Sequence, residues 1–173
     1  AKIITATNVF AHMEEVLTLL KSIKNLMKKD GIFISESHYL YDLIQYNQYD
    51  TIYHEHLRYY SFSSLKFLFN KVGLEIIRAK RINTHGGSIR VYAAPKGIYK
   101  KSKKLKILFE NEKNLFKNNI YSFAKRVTKS KLDLYKILSK LKNKNIRIYG
   151  ISAPSRATTL ANYVGLNSNI IDC

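Results

Sequence analysis

Residues 2–36 read KIITATNVFAHMEEVLTLLKSIKNLMKKDGIFISE, and they decide the fold. Residues 2–7 are a short β-rich run, apolar enough for a buried parallel strand. Asn8-Val9-Phe10-Ala11-His12 is the turn after it. Residues 14–29 form an amphipathic helix, with Val16, Leu17, Leu20, Ile23, Leu26 and Met27 on one face and Lys21, Lys24, Lys28 and Lys29 on the other. Glu14 and Glu15 are expected in its first turn and the lysines in its last, as the helix dipole favours. Asp30-Gly31 ends the helix, and Ile32-Phe33-Ile34-Ser35-Glu36 is a second strand. Strand, helix and strand make a βαβ unit, so the two strands run parallel. Ligands of such sheets bind beyond the carboxyl ends of the strands. Here that is the turn at residues 8–12 and the stretch at 36–39.

Downstream, the pattern changes. Residues 39–49 are polar and aromatic, which suits a short helix or lid. Residues 63–69 open a helix capped by Ser61 or Ser63 and ended by Gly73. Residues 75–82 and 88–94 are strands joined through Asn83-Thr84-His85-Gly86-Gly87, a connection short enough to require an antiparallel pair. Pro95-Lys96-Gly97 marks a boundary. A long helical stretch follows over residues 103–142, with a break expected near Asn118-Asn119. Residues 146–150 read as a strand, Ser152-Ala153-Pro154-Ser155-Arg156 turns into a helix over 157–164, and 169–172 read as another strand. The fold class expected is thus α/β: a partial sheet, parallel at first and ending in an antiparallel hairpin, then a helical connector and the start of a second α/β unit. The divisions are 1–97, 98–144 and 145–173.

Composition narrows the function. The 173 residues are 46% hydrophobic, with 13 Tyr and 8 Phe, enough for a core. No apolar run is long enough to span a bilayer. The start reads as a strand and not as a signal peptide. One Cys rules out an internal disulfide and fits a reducing cytoplasm. The chain does not begin with Met, and it reads as a segment of a longer protein. Its net charge of +18 raises the question of nucleic acid, but 17 of the 30 basic residues fall between 96 and 147, scattered through a helical pattern. A solvated basic helix, a surface for a diphosphate-bearing substrate and nucleic-acid binding are all open on charge alone. No zinc-finger, homeodomain or RNA-recognition motif supports the last, so neither a nucleic acid nor a membrane is expected as a partner.

Chemistry concentrates in Asp50-Thr51-Ile52-Tyr53-His54-Glu55-His56-Leu57-Arg58. Histidine is the side chain that exchanges a proton near neutral pH, and an adjacent carboxylate can orient it and stabilise its charged form. This is the equipment for taking a proton from carbon beside a carbonyl. A His-x-His pair also suits a metal, but zinc needs three or four ligands and Cys173 adds nothing, so no metal is expected here. A surface loop with no chemistry is the plain alternative.

Three motifs in order, Thr5 through His12, Asp50 through His56, and Thr84-His85-Gly86-Gly87-Ser88-Ile89-Arg90, resemble consecutive motifs of the sugar C-methyltransferases, enzymes built on the class I S-adenosylmethionine methyltransferase fold. Tyr149-Gly150-Ile151-Ser152-Ala153-Pro154-Ser155-Arg156 resembles the turn that opens that family's carboxyl-terminal domain. The resemblance implies S-adenosylmethionine as cofactor and a nucleotide-linked 4-keto-deoxysugar as substrate, methylated at C3 through base-assisted enolate formation. It implies His56 as the base, with Glu55 bonding a sugar hydroxyl or orienting an imidazole. Tyr53 or His12 would donate to the ketone oxygen. Asn8, Val9 and Phe10 would line the cofactor. His85, Gly86, Gly87 and Ser88 would approach the substrate, and Ser155 and Arg156, at a helix start, would take its diphosphate. The family's amino-terminal zinc module, its glycine-rich cofactor loop and its ribose-binding acid have no counterpart here, so the segment alone is expected to be inactive. A class I methyltransferase with another small acceptor, or a non-catalytic nucleotide-binding remnant, are the alternatives.

Overall fold

A computed structural model describes residues 1–173. Strand β1 (Ile3–Thr7) pairs parallel with β2 (Ile32–His38), from Ile3 opposite Ile32 to Thr7 opposite Glu36. Helix α1 (Val16–Leu26) crosses between them. Strand β4 (Ser88–Pro95) then pairs antiparallel with β2, and β3 (Leu74–Ile82) lies outermost, antiparallel to β4. The order β1-β2-β4-β3 is the half-parallel sheet with a terminal hairpin that the sequence leads one to expect.

Aromatic rings fill the core. Phe10 stacks on Phe33 at 5.9 Å, and Phe69 meets both edge-on. Leu20 of α1, together with Val91 and Ile89 of β4, completes the cluster. Each such side chain contributes about 1.5–3 kcal/mol by leaving water. Helix α1 is shorter than its apolar pattern. Arg58 donates to the carbonyls of Met13 and Glu14 and holds the chain extended there. Glu14 and Glu15 therefore precede the first turn instead of occupying it. Met27 is extended as well, so Lys28 and Lys29 lie beyond the helix. Only Val16, Leu20 and Ile23 of its apolar face are buried; Leu17 and Leu26 are exposed.

Helix α2 (Leu40–Gln45) realises the short helix expected after β2. Helix α3 (Phe62–Lys71) starts at Ser61, whose hydroxyl accepts from the Ser64 N–H while Ser64 Oγ accepts from the Ser61 N–H. This reciprocal cap satisfies two helix-end donors at once. Helix α4 (Lys104–Lys142) is continuous for 39 residues. The break expected at Asn118-Asn119 does not occur, because an asparagine keeps its backbone donor and costs a helix less than about 1 kcal/mol. Apart from the buried Glu112 and Leu115, α4 is exposed or half-buried throughout.

The carboxyl-terminal unit departs further from expectation. Residues 146–150 and 169–172 are not strands. They do lie side by side, with Asp172 N–H donating to the Ile148 carbonyl at 2.8 Å and Gly150 N–H to that of Cys173 at 2.7 Å. Two bonds between short segments, with no third strand beside them, do not make a sheet. Helix α5 (Ser155–Val164) begins two residues before the expected start, with Pro154 as its cap, and ends on Gly165 in the left-handed region. No helix is long and apolar enough to cross a membrane.

Candidate active site

The site is made by one tight turn and one docked loop. After β1 the chain turns at Asn8, which adopts φ 56°, a left-handed conformation that asparagine tolerates better than most residues. Its N–H donates to the Glu36 carbonyl at 2.9 Å, which draws the turn across the carboxyl end of β2. A single 3-10 turn, Phe10–His12, then sends Phe10 into the core and leaves His12 on the crevice. The histidine-rich loop is tied to this turn. Leu57 N–H donates to the Ala11 carbonyl at 2.8 Å, and Arg58 grips the carbonyls of Met13 and Glu14. The ring of His56 is thereby held 5.1 Å from that of His12.

Between them is a cavity of about 250 Å³ at the carboxyl ends of β1 and β2, lined by Asn8, His12, Ser37, Tyr53, His56 and Arg156 among others. Sites for drug-sized ligands run to roughly 300–1,000 Å³. This one falls below that range.

The hydrogen bonds assign the protons. His56 Nδ1 faces the Thr51 carbonyl at 3.2 Å. A carbonyl only accepts, so Nδ1 carries the hydrogen and Nε2 is left unprotonated, an acceptor. Tyr53 Oη lies 3.3 Å from that Nε2. Burial, then the nearby His12, lowers the His56 pKa, so the ring is neutral at neutral pH. Burial raises the Tyr53 pKa and keeps the phenol protonated. His38 also lines the cavity, and burial lowers its pKa as well. Its Nε2 is 2.9 Å from Gln48 Oε1, while Gln48 Nε2 donates to the Gly86 carbonyl at 2.6 Å. Glu36, at the end of β2, is held by Arg90 and by the Thr84 hydroxyl, so it is not free to act as a base.

Tyr53, His56, His12, Asn8, His85 and Arg156 of the expected set come together around this cavity. Others do not. Phe10 is fully buried among Phe33, Tyr60 and Phe69, so its ring cannot line a cofactor; the 3-10 turn rotates it inward. Val9 is partly exposed and off the cavity. Glu55 is outside it too, 4.0 Å from the exposed His54 and 3.4 Å from Ser155 Oγ, so the imidazole it stands nearest is His54. Gly86 and Gly87 border a separate shallow recess with Asp42 and Arg81. Ser88 is buried, and its hydroxyl donates to the Thr84 carbonyl. Arg156 is engaged by Asp50, with Nε 2.7 Å from Oδ2. No three His, Cys, Asp or Glu side chains converge as a metal site would require.

Four residues lining the cavity, Ala11, Ser37, His38 and Thr51, are absent from the expected set of site residues. Thr51 contributes its backbone carbonyl, which no sequence pattern signals. Ser37 contributes a buried hydroxyl with no hydrogen-bond partner. A serine at the carboxyl end of an apolar parallel strand is a legible signal for it. The orphaned hydroxyl and the Asn8 side chain are the groups best placed to hold a polar cofactor here.

Comparison with known proteins gives the chain's family. Residues 83–173 match the family described as C-methyltransferase C-terminal domain, and residues 1–79 match the methyltransferase domain family. The C-methyltransferase NovU of Streptomyces niveus is 40% identical over 95 residues, 55% of this chain and 23% of NovU. The matched stretch is thus about a quarter of that relative's length. Among solved structures, the mitomycin 7-O-methyltransferase MmcR is 18% identical with a TM-score of 0.43 over 55% of this chain and 30% of that one. Magnesium protoporphyrin IX methyltransferase ChlM of Synechocystis is 14% identical with a TM-score of 0.42 over 55% and 45%. Structural likenesses as loose as these two carry no weight for the site.

Proposed function

Because this chain belongs to the C-methyltransferase family, we propose that it is part of an S-adenosylmethionine-dependent C-methyltransferase acting at C3 of a nucleotide-linked 4-keto-deoxysugar. The observation that carries this reading is a neutral histidine, His56, with its unprotonated Nε2 at the carboxyl end of a parallel β-pair, within reach of a phenol and a second imidazole. Bound S-adenosylmethionine supplies an electrophilic methyl group. The unpartnered Ser37 hydroxyl and Asn8 fit its polar end.

A 4-keto group acidifies the C3 hydrogen. His56 Nε2 takes that proton and becomes imidazolium, while the C–H electron pair moves into the enolate. Tyr53 or His12 donates a hydrogen bond to the enolate oxygen, where the charge develops. C3 of the enolate would then take the methyl, the C–S electron pair staying on the sulfur, which would leave as a neutral thioether; this restores the ketone, and the imidazolium returns its proton to solvent. Arg156 exchanges Asp50 for the substrate diphosphate, and Ser155 offers its amide and hydroxyl at the same helix start. Glu55, at the rim, meets a sugar hydroxyl. We assign residues 1–97 to the cofactor domain, 98–144 to a connector and 145–173 to the start of the second domain.

The test uses the full-length protein, labelled S-adenosylmethionine and a dTDP-4-keto-6-deoxysugar. Label is expected at C3, with His56→Ala losing about 10²–10⁴-fold in rate and His38→Ala close to the parent. Equal rates in the two variants reject His56 as the base. Label on oxygen rejects the carbon acceptor.

A further inference from the structure

Glu112 is a carboxylate on the connector helix α4 that is completely buried. Burying such a charge is expensive unless donors surround it. Here the donors come from two places far apart in sequence. Oε2 accepts from the Tyr39 hydroxyl at 3.0 Å and from the Phe62 N–H at 2.6 Å. Oε1 accepts from the Ser63 N–H at 3.0 Å and from the Ser63 hydroxyl. Capping α3 would need only the Phe62 and Ser63 bonds. The Tyr39 bond is not part of that cap, and it ends on the same oxygen.

Tyr39 and Phe62 bound residues 40–61, the excursion that carries Asp50, Thr51, Tyr53 and His56. Its ends are also joined directly, by Leu40 N–H to the Tyr60 carbonyl at 2.9 Å. From this junction the bonds continue inward. Tyr60 donates to the Phe10 carbonyl at 3.1 Å, and Tyr59 donates at 3.1 Å to the Thr51 carbonyl, the same oxygen that faces His56 Nδ1. Nothing else on α4 reaches both ends of the excursion with a charged group.

We propose that Glu112 is a positioning residue, a carboxylate clamp that closes residues 40–61 at their base and so fixes the Thr51 carbonyl against His56 Nδ1. The clamp makes the connector helix part of the active site without touching the substrate. Its importance for catalysis rests on the reading of His56 as base; its effect on the imidazole does not.

The experiment follows the His56 ring nitrogens by ¹⁵N NMR in the full-length protein at a pH where the ring is neutral. The parent is expected to carry its hydrogen on Nδ1. Glu112→Gln replaces one acceptor oxygen by a donor amide. It is expected to move His56 toward the Nε2–H form that free imidazole prefers and to speed amide exchange across 40–61 about tenfold or more, leaving the β3–β4 hairpin unchanged. In the methyl-transfer assay kcat is expected to fall by about one to two orders of magnitude, with KM little changed. Ile23→Ala loosens the same core from α1, away from the clamp, and is expected to leave the His56 tautomer alone. Tyr39→Phe removes a single donor and is expected to act in the same direction as Glu112→Gln, more weakly; it decides the matter if Glu112→Gln does not fold. An unmoved tautomer in the clamp variants, or an equal shift in Ile23→Ala, overturns the proposal. If the parent transfers no methyl to carbon, the reading of the reaction fails while the tautomer comparison still decides the clamp.

Discussion

The ring centroid of His12 lies 5.1 Å from that of His56, close enough for His12 to oppose protonation of His56. Burial and this neighbour both lower the His56 pKa. A base works only unprotonated, so activity falls as pH drops through that pKa. The acidic limb of kcat/KM is therefore expected below the ordinary histidine value of about 6.5. His12→Asn removes the like charge, raises the His56 pKa and shifts the limb to higher pH. A pH–rate profile of parent and variant checks this, and a limb that stays put excludes His12 as a cause.

The same depression bears on stability. His38 and His56 both have folded-state pKa values lowered by burial, so the unfolded chain binds their protons more readily. Their contribution is complete above the unfolded value of about 6.5 and is lost as pH falls through the folded values. Urea unfolding at pH 7.5 and pH 5 is expected to give a lower midpoint at pH 5. His38→Gln, which keeps a polar group near Gln48, is expected to flatten that dependence.

What the sequence makes legible is what local rules determine. The βαβ unit and the hairpin follow from apolar runs of the right length and from a connection too short for a crossover. His56, Tyr53 and His12 stand out because few residue types can move protons. What it hides depends on partners. Phe10 sits in a turn yet faces the core, because a 3-10 turn no periodicity foretells directs it inward, while Leu17, on the apolar stripe of α1, is left exposed. The residues at 146–150 have strand composition, but without a third segment beside them they do not become a strand. Glu112 reads as one more polar position on a basic helix, and only the fold brings four donors to it.

Phe10 separates packing from binding. If its ring serves the core, Phe10→Ala removes a fully buried side chain at a cost of about 3–5 kcal/mol. Phe10→Leu keeps most of the volume and is expected to cost less, with S-adenosylmethionine affinity in the full-length protein within about twofold of the parent. Chemical unfolding and calorimetry make the two measurements. A large loss of affinity in Phe10→Leu, at little cost in stability, would return Phe10 to the cofactor site.

Gly87 has a structural reason for being glycine. Its φ is +128°, and a Cβ there would lie 2.4 Å from Asp42 Cβ and 2.5 Å from Asp42 Cγ. The buried Asp42 carboxylate is itself paired with Arg81, whose guanidinium stacks over Tyr41 at 4.5 Å. Gly87→Ala must therefore move backbone or break the pair. It is expected to destabilise the fold by about 2–4 kcal/mol, read as a drop in the unfolding midpoint. Gly97→Ala meets no neighbouring atom and is expected to cost only its backbone strain, about 1 kcal/mol.

Arg156 can take a diphosphate only by leaving Asp50, to which both its Nε and Nη2 now point. Asp50→Asn keeps the shape and removes the competing charge. Partly exposed pairs of this kind are worth roughly 0.2–1 kcal/mol, so binding of a nucleoside diphosphate to the full-length protein is expected to tighten by about 1.5- to 5-fold. Arg156→Gln is expected to weaken it, and added salt to shrink both effects. Helix α5 keeps its other hold on the loop in Asp50→Asn, through Thr159 Oγ1 donating to the Ile52 carbonyl at 2.9 Å and the Tyr49–Tyr163 ring contact at 5.4 Å. A gain in affinity therefore reports release of the guanidinium, not movement of the helix. If Asp50→Asn weakens binding as Arg156→Gln does, the pair is a brace between α5 and the histidine loop, and the diphosphate binds elsewhere.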